Sequence, residues 1–193
     1  MNKNYFEVLK KISEAGTVAV LNSGLPSMAV SVAKKLKENG VSALEIAYRD
    51  YSHLDYADEC IRAIRDEVPD MLVGAASILN VKFARRAKKS GAQFILSAGF
   101  NPSTVKWCIR HRIPVFPGVC SPGEIEQGLE LGLSVFKLFP AETLGGIDFL
   151  RALAGPYPEV KFIVSGGLNS SNFEKYANCS NVLAVSGSWL AKV

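Results

Sequence analysis

Several signatures that mark particular protein classes are missing from this chain of 193 residues. Its 4 cysteines are widely separated and contain no C-x-x-C pair, so neither a zinc site nor a dense disulfide framework is predicted, and a reducing cytosol fits best. Its two histidines, His53 and His111, form no H-E-x-x-H or comparable cluster. Metal-dependent chemistry is therefore disfavoured, and the sequence implies no cofactor.

Long apolar segments and concentrated charge are also lacking. The N-terminal segment has no apolar run of the kind that a signal peptide needs, and no segment is long enough to span a bilayer. The net charge of +4 is spread along the chain, without a basic stripe or a known nucleic-acid-binding motif. We therefore expect a cytoplasmic protein that binds neither membranes nor nucleic acids.

The chain does contain a regular alternation of β-like and helical patterns. After an amphipathic N-terminal segment, eight short β-like runs alternate with helical stretches, which is typical of βα units around a parallel sheet. Eight runs favour a (β/α)8 TIM barrel over an open doubly wound sheet, whose first turn often carries G-x-G-x-x-G. We predict a single barrel domain over residues 1–193 with an extra N-terminal helix. The runs cover residues 17–22, 43–49, 71–77, 94–99, 114–119, 135–140, 161–167 and 182–188.

The helical segments carry plausible start signals. Ser27, Asn101 and Ser121 are predicted to cap the helices that follow them, the last two with proline in the first turn. The chain stops at Val193, directly after the last β-like run. The last helix of the barrel is therefore predicted to be short or missing.

Lys137 lies inside an apolar hexapeptide, residues 135–140, with no opposite charge beside it. A lysine that is taken out of water loses its proton more readily, because desolvation disfavours the ammonium form. A neutral lysine amine is a nucleophile and forms a Schiff base with a carbonyl group. The alternative is an exposed lysine on an edge strand, where its charge opposes aggregation.

The side-chain alternation of the strands brings further charged groups toward Lys137. Glu45 and Arg49 share one face of their run, and Lys137 can face the barrel axis from its own. A ketoacid needs a cation for its carboxylate, an amine for its carbonyl and a group that moves protons, and these three residues supply all of them. The alternative is a structural Glu45–Arg49 ion pair that closes the core.

Small and polar residues end the remaining runs. Ser77 is a candidate donor to a substrate carboxylate, and its alternative role is to cap the next helix. Residues 166–167 and 186–188 read Gly-Gly and Ser-Gly-Ser at adjacent strand ends, where a barrel commonly binds phosphate. The predicted ligand is therefore a phosphorylated ketoacid.

These motifs together resemble the 2-keto-3-deoxy-6-phosphogluconate (KDPG) aldolase / 4-hydroxy-2-oxoglutarate aldolase family. The resemblance follows the chain in order and is carried by residues 44–49 (LEIAYR), 74–80 (GAASILN), 136–142 (FKLFPAE), 166–167 (GG) and 187–190 (GSWL). It implies a class I aldolase that needs no metal, assembles as a homotrimer and cleaves KDPG to pyruvate and glyceraldehyde 3-phosphate, a step of the Entner–Doudoroff pathway.

The resemblance also implies a role for each matching residue. Lys137 would form the Schiff base, and Glu45 would be the general acid and base. Arg49 and Ser77 would bind the carboxylate, and the phosphate would be bound by Gly166, Gly167, Gly187 and Ser188.

Two alternatives stay open at this point. The same chemistry could act on the galactonate epimer or on unphosphorylated 4-hydroxy-2-oxoglutarate, or the barrel could bind a phosphate ligand without catalysis. The sequence departs from the family pattern at three positions near the predicted mouth. Ser77 replaces the usual threonine, Ala76 a common glycine and Ala98 a common proline.

Overall fold

Parallel strands and helices alternate along the whole of this computed structural model, which describes residues 3–192. Met1, Asn2 and Val193 lie outside the described residues. The strands are β1 Thr17–Asn22, β2 Ala43–Ala47, β3 Leu72–Ala76, β4 Ile95–Leu96, β5 Val115–Phe116, β6 Gly118–Val119, β7 Val135–Leu138, β8 Lys161–Ser165 and β9 Val182–Gly187. The helices are α1 Lys3–Ala15, α2 Pro26–Glu38, α3 Leu54–Glu67, α4 Val81–Lys89, α5 Pro102–Arg110, α6 Pro122–Glu130, α7 Gly146–Ala154, α8 Phe173–Ala177 and a 3-10 turn, Ser188–Ala191.

The strands form one parallel sheet in the order β5-β4-β3-β2-β1-β9-β8-β7-β6. β5 and β6 are the two halves of the fifth predicted run, separated only by Pro117, which has no N–H to donate to a neighbouring strand. β5 pairs with β4 and β6 pairs with β7, so this divided strand closes the sheet on itself. Each of the eight predicted runs therefore supplies one strand position of the barrel, and the predicted (β/α)8 barrel is confirmed.

The N-terminal helix closes the lower end of the barrel. Tyr5, Val8 and Ile12 lie on one face of α1, at helical spacing, and all three are buried. They pack into a single apolar cluster with strand residues that point to the barrel axis, among them Val18 and Phe94. The extra N-terminal helix is thus confirmed, and its place is beneath the strands rather than beside them.

The predicted alternation of β2 is also confirmed. Leu44, Ile46 and Tyr48 are buried in the outer layer, together with Ile61 and Ile64 of α3. The intervening residues point to the axis, where Ala43 joins the cluster below and Ala47 joins a small cluster at the mouth. A strand of a closed barrel separates its side chains in this way because successive side chains leave opposite faces.

The helical element that follows the last strand is short, as predicted, because only a 3-10 turn of 4 residues follows β9. The helix before that strand, α8, is also short, with 5 residues. Among residues 3–192, no helix combines the length and the apolar character that crossing a bilayer requires.

Only one of the three predicted helix caps forms as expected. The Asn101 side chain accepts a hydrogen bond from the Thr104 amide at the start of α5. The Ser27 prediction is wrong, because α2 begins at Pro26 with Leu25 in the capping position. Ser121 occupies the capping position of α6 without a capping bond of its own, and its hydroxyl instead donates to the Glu124 carboxylate.

Candidate active site

Lys137 lies on a strand that is paired on both sides, and its side chain is buried. Its strand, β7, pairs with β6 on one side and with β8 on the other, so it is not an edge strand. Lys137 is 6% exposed. The alternative of an exposed lysine placed against aggregation is therefore wrong.

The carboxylate of Glu45 meets Lys137 across the barrel. Glu45 is the central residue of β2 and is fully buried, and its Oε1 atom lies 3.4 Å from the Lys137 Nζ atom. The alternative of a Glu45–Arg49 pair is wrong, because Lys137 is the cation that Glu45 contacts. The Lys137 amine also lies 5.5 Å from the centre of the Phe139 ring. Both side chains are almost completely buried, so the attraction between the amine and the carboxylate is screened far less than at the surface.

A third buried group contacts this pair. The Ser186 hydroxyl of β9 donates to the same Glu45 Oε1 atom at 3.4 Å. Ser186 was not assigned to the pair by the sequence analysis, which placed the whole Ser-Gly-Ser stretch at a phosphate. The signal was nevertheless present, because Ser186 has the same strand parity as Ala184, which points to the axis.

Arg49 lies at the mouth, just beyond the end of β2, and bonds to neighbouring strand ends. Its Nε atom donates to the Ser77 hydroxyl at 3.3 Å, and its Nη1 atom donates to the Asn22 side chain at 3.4 Å. Asn22, at the end of β1, was missed in the sequence because an exposed asparagine at a strand end carries no chemistry of its own. Residues at the ends of the three adjacent strands β1, β2 and β3 thus orient the Arg49 guanidinium.

Ser77 does not cap the following helix. Asn80 caps α4, accepting a hydrogen bond from the Phe83 amide at 3.0 Å. Ser77 itself has a left-handed backbone with φ of 58°, a conformation that non-glycine residues seldom adopt outside functional or turn positions. This conformation places its hydroxyl beside Arg49, as the carboxylate-site prediction requires.

The Gly166–Gly167 turn needs glycine at both positions. Gly166 and Gly167 have φ values of 96° and 84°, which L side chains rarely adopt. A Cβ atom on Gly166 would lie 2.8 Å from the Pro140 Cα atom, and one on Gly167 would lie 2.6 Å from the Glu142 Cβ atom. The turn therefore packs directly against the segment that follows β7.

Glu142 fastens that segment to α8. Its carboxylate accepts a hydrogen bond from the Tyr176 hydroxyl and lies 3.3 Å from the Lys175 amine. The Tyr176 hydrogen bond, supported by Lys175, lowers the pKa of Glu142 below its ordinary value. The same Tyr176 hydroxyl is mostly withdrawn from water, and desolvation followed by the Glu142 bond raises its pKa well above the usual range.

The second predicted phosphate turn spans the end of β9 and the start of the 3-10 turn. Gly187 has an extended backbone, and a Cβ atom there would lie 2.5 Å from the Trp189 indole nitrogen. A side chain at this position would therefore displace the indole ring. Ser188 is exposed and begins the 3-10 turn.

A small open cleft of about 120 Å³ unites these parts at the mouth. Phe139 and Ser186, which line it, are also neighbours of the buried pair, so Lys137 and Glu45 lie directly behind the wall of the cleft. The cleft is lined by Val20, Arg49, Phe139, Ser165, Gly166, Gly167, Leu168, Ser186, Gly187 and Ser188.

The cleft has one cationic side and one side rich in backbone amides, above a buried amine and carboxylate. Such an arrangement can bind a molecule with a negative group at each end and a reactive carbonyl near one of them. Within the part of the chain that the structure describes, no group of three or more His, Cys, Asp or Glu side chains is placed to hold a metal ion.

Comparison with known proteins gives a consistent result over nearly the whole chain. The family model described as KDPG and KHG aldolase matches residues 8–193. The 2-dehydro-3-deoxy-phosphogluconate aldolase of Treponema pallidum is 40% identical over 96% of this chain and 85% of its own length. The KHG/KDPG aldolase of Escherichia coli (strain K12) is 39% identical over 84% of this chain and 74% of its own length.

A solved structure of high similarity comes from Legionella pneumophila. It is a KDPG aldolase with pyruvate captured as a covalent carbinolamine intermediate, and it superimposes with a TM-score of 0.88 at 31% identity, over 94% of this chain and 86% of that one. The chain described here belongs to the KDPG and KHG aldolase family.

Proposed function

We propose that this protein is a class I, metal-independent aldolase that cleaves KDPG to pyruvate and glyceraldehyde 3-phosphate through a Schiff base on Lys137. The observation that carries the proposal is the buried contact of 3.4 Å between the Lys137 amine and the Glu45 carboxylate, next to the cleft residues Phe139 and Ser186. A nucleophilic amine and a proton carrier lie in contact with each other and are buried, so both can act on one carbon of a bound substrate.

The first half of the reaction forms the imine. The Lys137 amine attacks the C2 carbonyl, and the carbonyl oxygen takes up a proton to give a carbinolamine. Glu45 relays the proton with which that hydroxyl leaves as water, so that a protonated imine remains. The relative from Legionella pneumophila supports this step, because its structure holds pyruvate as a covalent carbinolamine.

The second half breaks the carbon–carbon bond. Glu45 takes the proton of the C4 hydroxyl, the C3–C4 bond breaks, and its electron pair moves to C3 to form an enamine with the imine nitrogen as the electron sink. The aldehyde product is released. Glu45 then returns the proton to C3, and addition of water to the imine frees pyruvate and Lys137.

Arg49 and Ser77 bind the carboxylate of the substrate. A guanidinium is suited to this task because its N–H groups match the two oxygens of a carboxylate. The bonds from Arg49 to Ser77 and Asn22 support this role, since they fix the direction in which the remaining N–H groups point.

Gly166, Gly167, Gly187 and Ser188 bind the phosphate at the other end. Turns of bare backbone amides favour a dianion, and both glycine turns border the same cleft as Arg49. The relatives named KHG/KDPG aldolase favour a second substrate, 4-hydroxy-2-oxoglutarate, which has no phosphate and would leave these turns unused. The galactonate epimer remains an alternative for the same chemistry.

Reductive trapping tests the proposal. Native protein incubated with pyruvate and borohydride should gain one reduced pyruvyl group, located on the peptide that contains Lys137 by mass spectrometry. Lys137→Arg should form no adduct. Lys161→Arg is the matched control, because Lys161 lies on the neighbouring strand β8 and donates to the Ser180 carbonyl instead of the site. Absence of an adduct in native protein would favour a phosphate-binding barrel without catalysis.

Turnover assays decide between the substrates. We expect KDPG to have a kcat/KM well above that of 4-hydroxy-2-oxoglutarate, because only the phosphorylated substrate uses the glycine turns. Equal values for the two substrates would remove phosphate from the proposal. The same assay with the galactonate epimer measures the preference at C4.

We further propose that the protein is a cytoplasmic homotrimer acting in the Entner–Doudoroff pathway. Its four cysteines are free thiols, as expected in a reducing compartment. Several large apolar side chains are exposed on segments that follow the adjacent strands β1, β2 and β3, which supports an interface there. They are Leu25, Met28, Tyr51, Tyr56 and Leu79. Sedimentation equilibrium should give three times the mass of 20.9 kDa, and a monomer mass would contradict the trimer.

A further inference from the structure

Ser186 occupies a position at which the buried pair and the cleft meet. Its strand, β9, lies between β1 and β8, and Ser186 is aligned with Val18 on one side and Ser165 on the other. It is 1% exposed, which makes it one of the most deeply buried polar side chains described. Its hydroxyl reaches Glu45 at 3.4 Å, from a position 141 residues away in the sequence.

The two oxygens of Glu45 have different surroundings. Oε1 is approached by both the Lys137 amine and the Ser186 hydroxyl, each at 3.4 Å. Oε2 is buried and has no hydrogen-bond partner among residues 3–192. Two donors on the same oxygen fix the rotation of the carboxylate, so the other oxygen is left for an additional donor. A buried acceptor without a partner is unfavourable, and a ligand group that donates to it relieves that penalty.

We propose that Ser186 is a positioning residue that holds Glu45 Oε1 in place, so that Oε2 is the atom that carries protons to and from the substrate. This assignment rests on the proposed aldolase function. When the pyruvate imine exchanges a proton, a C–H bond of its methyl group breaks, the proton moves to Oε2, and the electron pair of that bond becomes the enamine double bond. When the substrate is cleaved, the proton of the C4 hydroxyl moves to Oε2, the O–H electron pair becomes the C=O bond of the aldehyde, and the C3–C4 electron pair becomes the enamine double bond. In both steps the imine nitrogen loses its positive charge.

Burial and charge argue that Ser186 serves Glu45 rather than the phosphate. Its hydroxyl already lies against a carboxylate, and a phosphate dianion in the same place would be repelled by that negative charge. Ser188, two residues later, is exposed at the mouth and has no such neighbour. The two serines of the Ser-Gly-Ser stretch therefore have separate tasks.

Exchange of the pyruvate methyl protons tests this assignment without phosphate. In deuterated water, the Lys137 imine of pyruvate loses a methyl proton to Glu45 and regains a deuteron, which proton NMR follows as loss of the methyl signal. For Ser186→Ala, we expect exchange and kcat to fall about tenfold, because a misplaced proton carrier slows the transfer, while KM for KDPG changes less than about twofold. Ser186→Thr keeps the hydroxyl and should retain at least about a third of the native exchange rate.

The alternative outcomes are distinct. If Ser186→Ala exchanges within about twofold of native protein, or if it changes only KM for the phosphorylated substrate, the positioning role is overturned. If the alanine variant does not fold, as judged by circular dichroism, Ser186→Cys is measured with the same two criteria, because a thiol fills the space but donates weakly. If native protein neither exchanges nor forms a borohydride adduct, the proposed function itself fails.

Discussion

Lys137 and Glu45 face each other from β7 and β2, with 3.4 Å between the amine nitrogen and Oε1 of the carboxylate. The two strands are not neighbours in the sheet, so the contact exists only because the barrel closes. Both side chains are buried, and removing either partner would leave an uncompensated charge in the interior. This contact is thus a product of the fold as well as the centre of the proposed chemistry.

Replacing the carboxylate tests its role as proton carrier. Glu45→Gln keeps the size of the side chain but cannot take up or release a proton, so we expect kcat to fall by about 10²-fold to 10⁴-fold. The borohydride adduct on Lys137 should still form, but more slowly. Stopped assays of pyruvate release measure the fall in kcat. Glu67→Gln, which changes only an exposed contact with Lys34, is the control and should keep native kcat.

Replacing Arg49 tests the carboxylate site. Arg49→Gln should raise KM for KDPG and the inhibition constant of pyruvate by about tenfold to a hundredfold, because a charged hydrogen bond contributes about 1.5–3 kcal/mol. Inhibition by inorganic phosphate should stay unchanged. Arg151→Gln alters an exposed pair with Asp148 on α7 and serves as the matched control. Equal losses of pyruvate and phosphate binding would contradict the assignment.

A methyl group at Gly167 tests the glycine turn. Gly167→Ala introduces a Cβ atom 2.6 Å from Glu142 and forces a left-handed backbone, so we expect a loss of about 1–3 kcal/mol in the free energy of unfolding. KM for KDPG should rise, while turnover of 4-hydroxy-2-oxoglutarate changes little. Gly123→Ala in α6, where a Cβ atom meets nothing within 4 Å, should leave KM for KDPG and turnover of 4-hydroxy-2-oxoglutarate unchanged. A uniform loss on both substrates would argue against a phosphate turn.

Glu142 makes stability depend on pH. The folded protein lowers its pKa, chiefly through the Tyr176 hydrogen bond, so the ionised carboxylate favours the folded state. This contribution is present above the pKa of the unfolded chain, about 4.3, and is lost as the pH falls through the lower folded value. At pH 7 the melting temperature of native protein should therefore be higher than that of Glu142→Gln. This difference in melting temperature should shrink below about pH 4. A constant difference in thermal scans would contradict the linkage.

Strand residues were predictable from the sequence because a barrel imposes a strict alternation. The eight runs, the inward side of Glu45 and the burial of Lys137 all follow from that rule. The ends of elements were less predictable, since they depend on local competition among capping groups. Ser27 and Asn80 show this, because one caps nothing and the other takes the capping role considered for Ser77.

Contacts between distant segments could not be predicted in the same way. Asn22 orients Arg49 only because β1 and β2 are in a particular register, with Asn22 opposite Ala47. Ser186 reaches Glu45 only because the sheet closes. Side-chain alternation gave the direction in which each residue points, but distance across the barrel needs the closed structure.

The position of α1 limits traffic through the barrel. Because Tyr5, Val8 and Ile12 fill the lower end, every molecule that reaches Lys137 must pass the rim on the opposite side. Under the proposed chemistry, the departing aldehyde and the incoming water both pass through the mouth of the barrel. The aldehyde must leave before water can hydrolyse the imine and free Lys137. A barrel that is closed at its lower end therefore fixes the order in which the aldehyde and pyruvate are released.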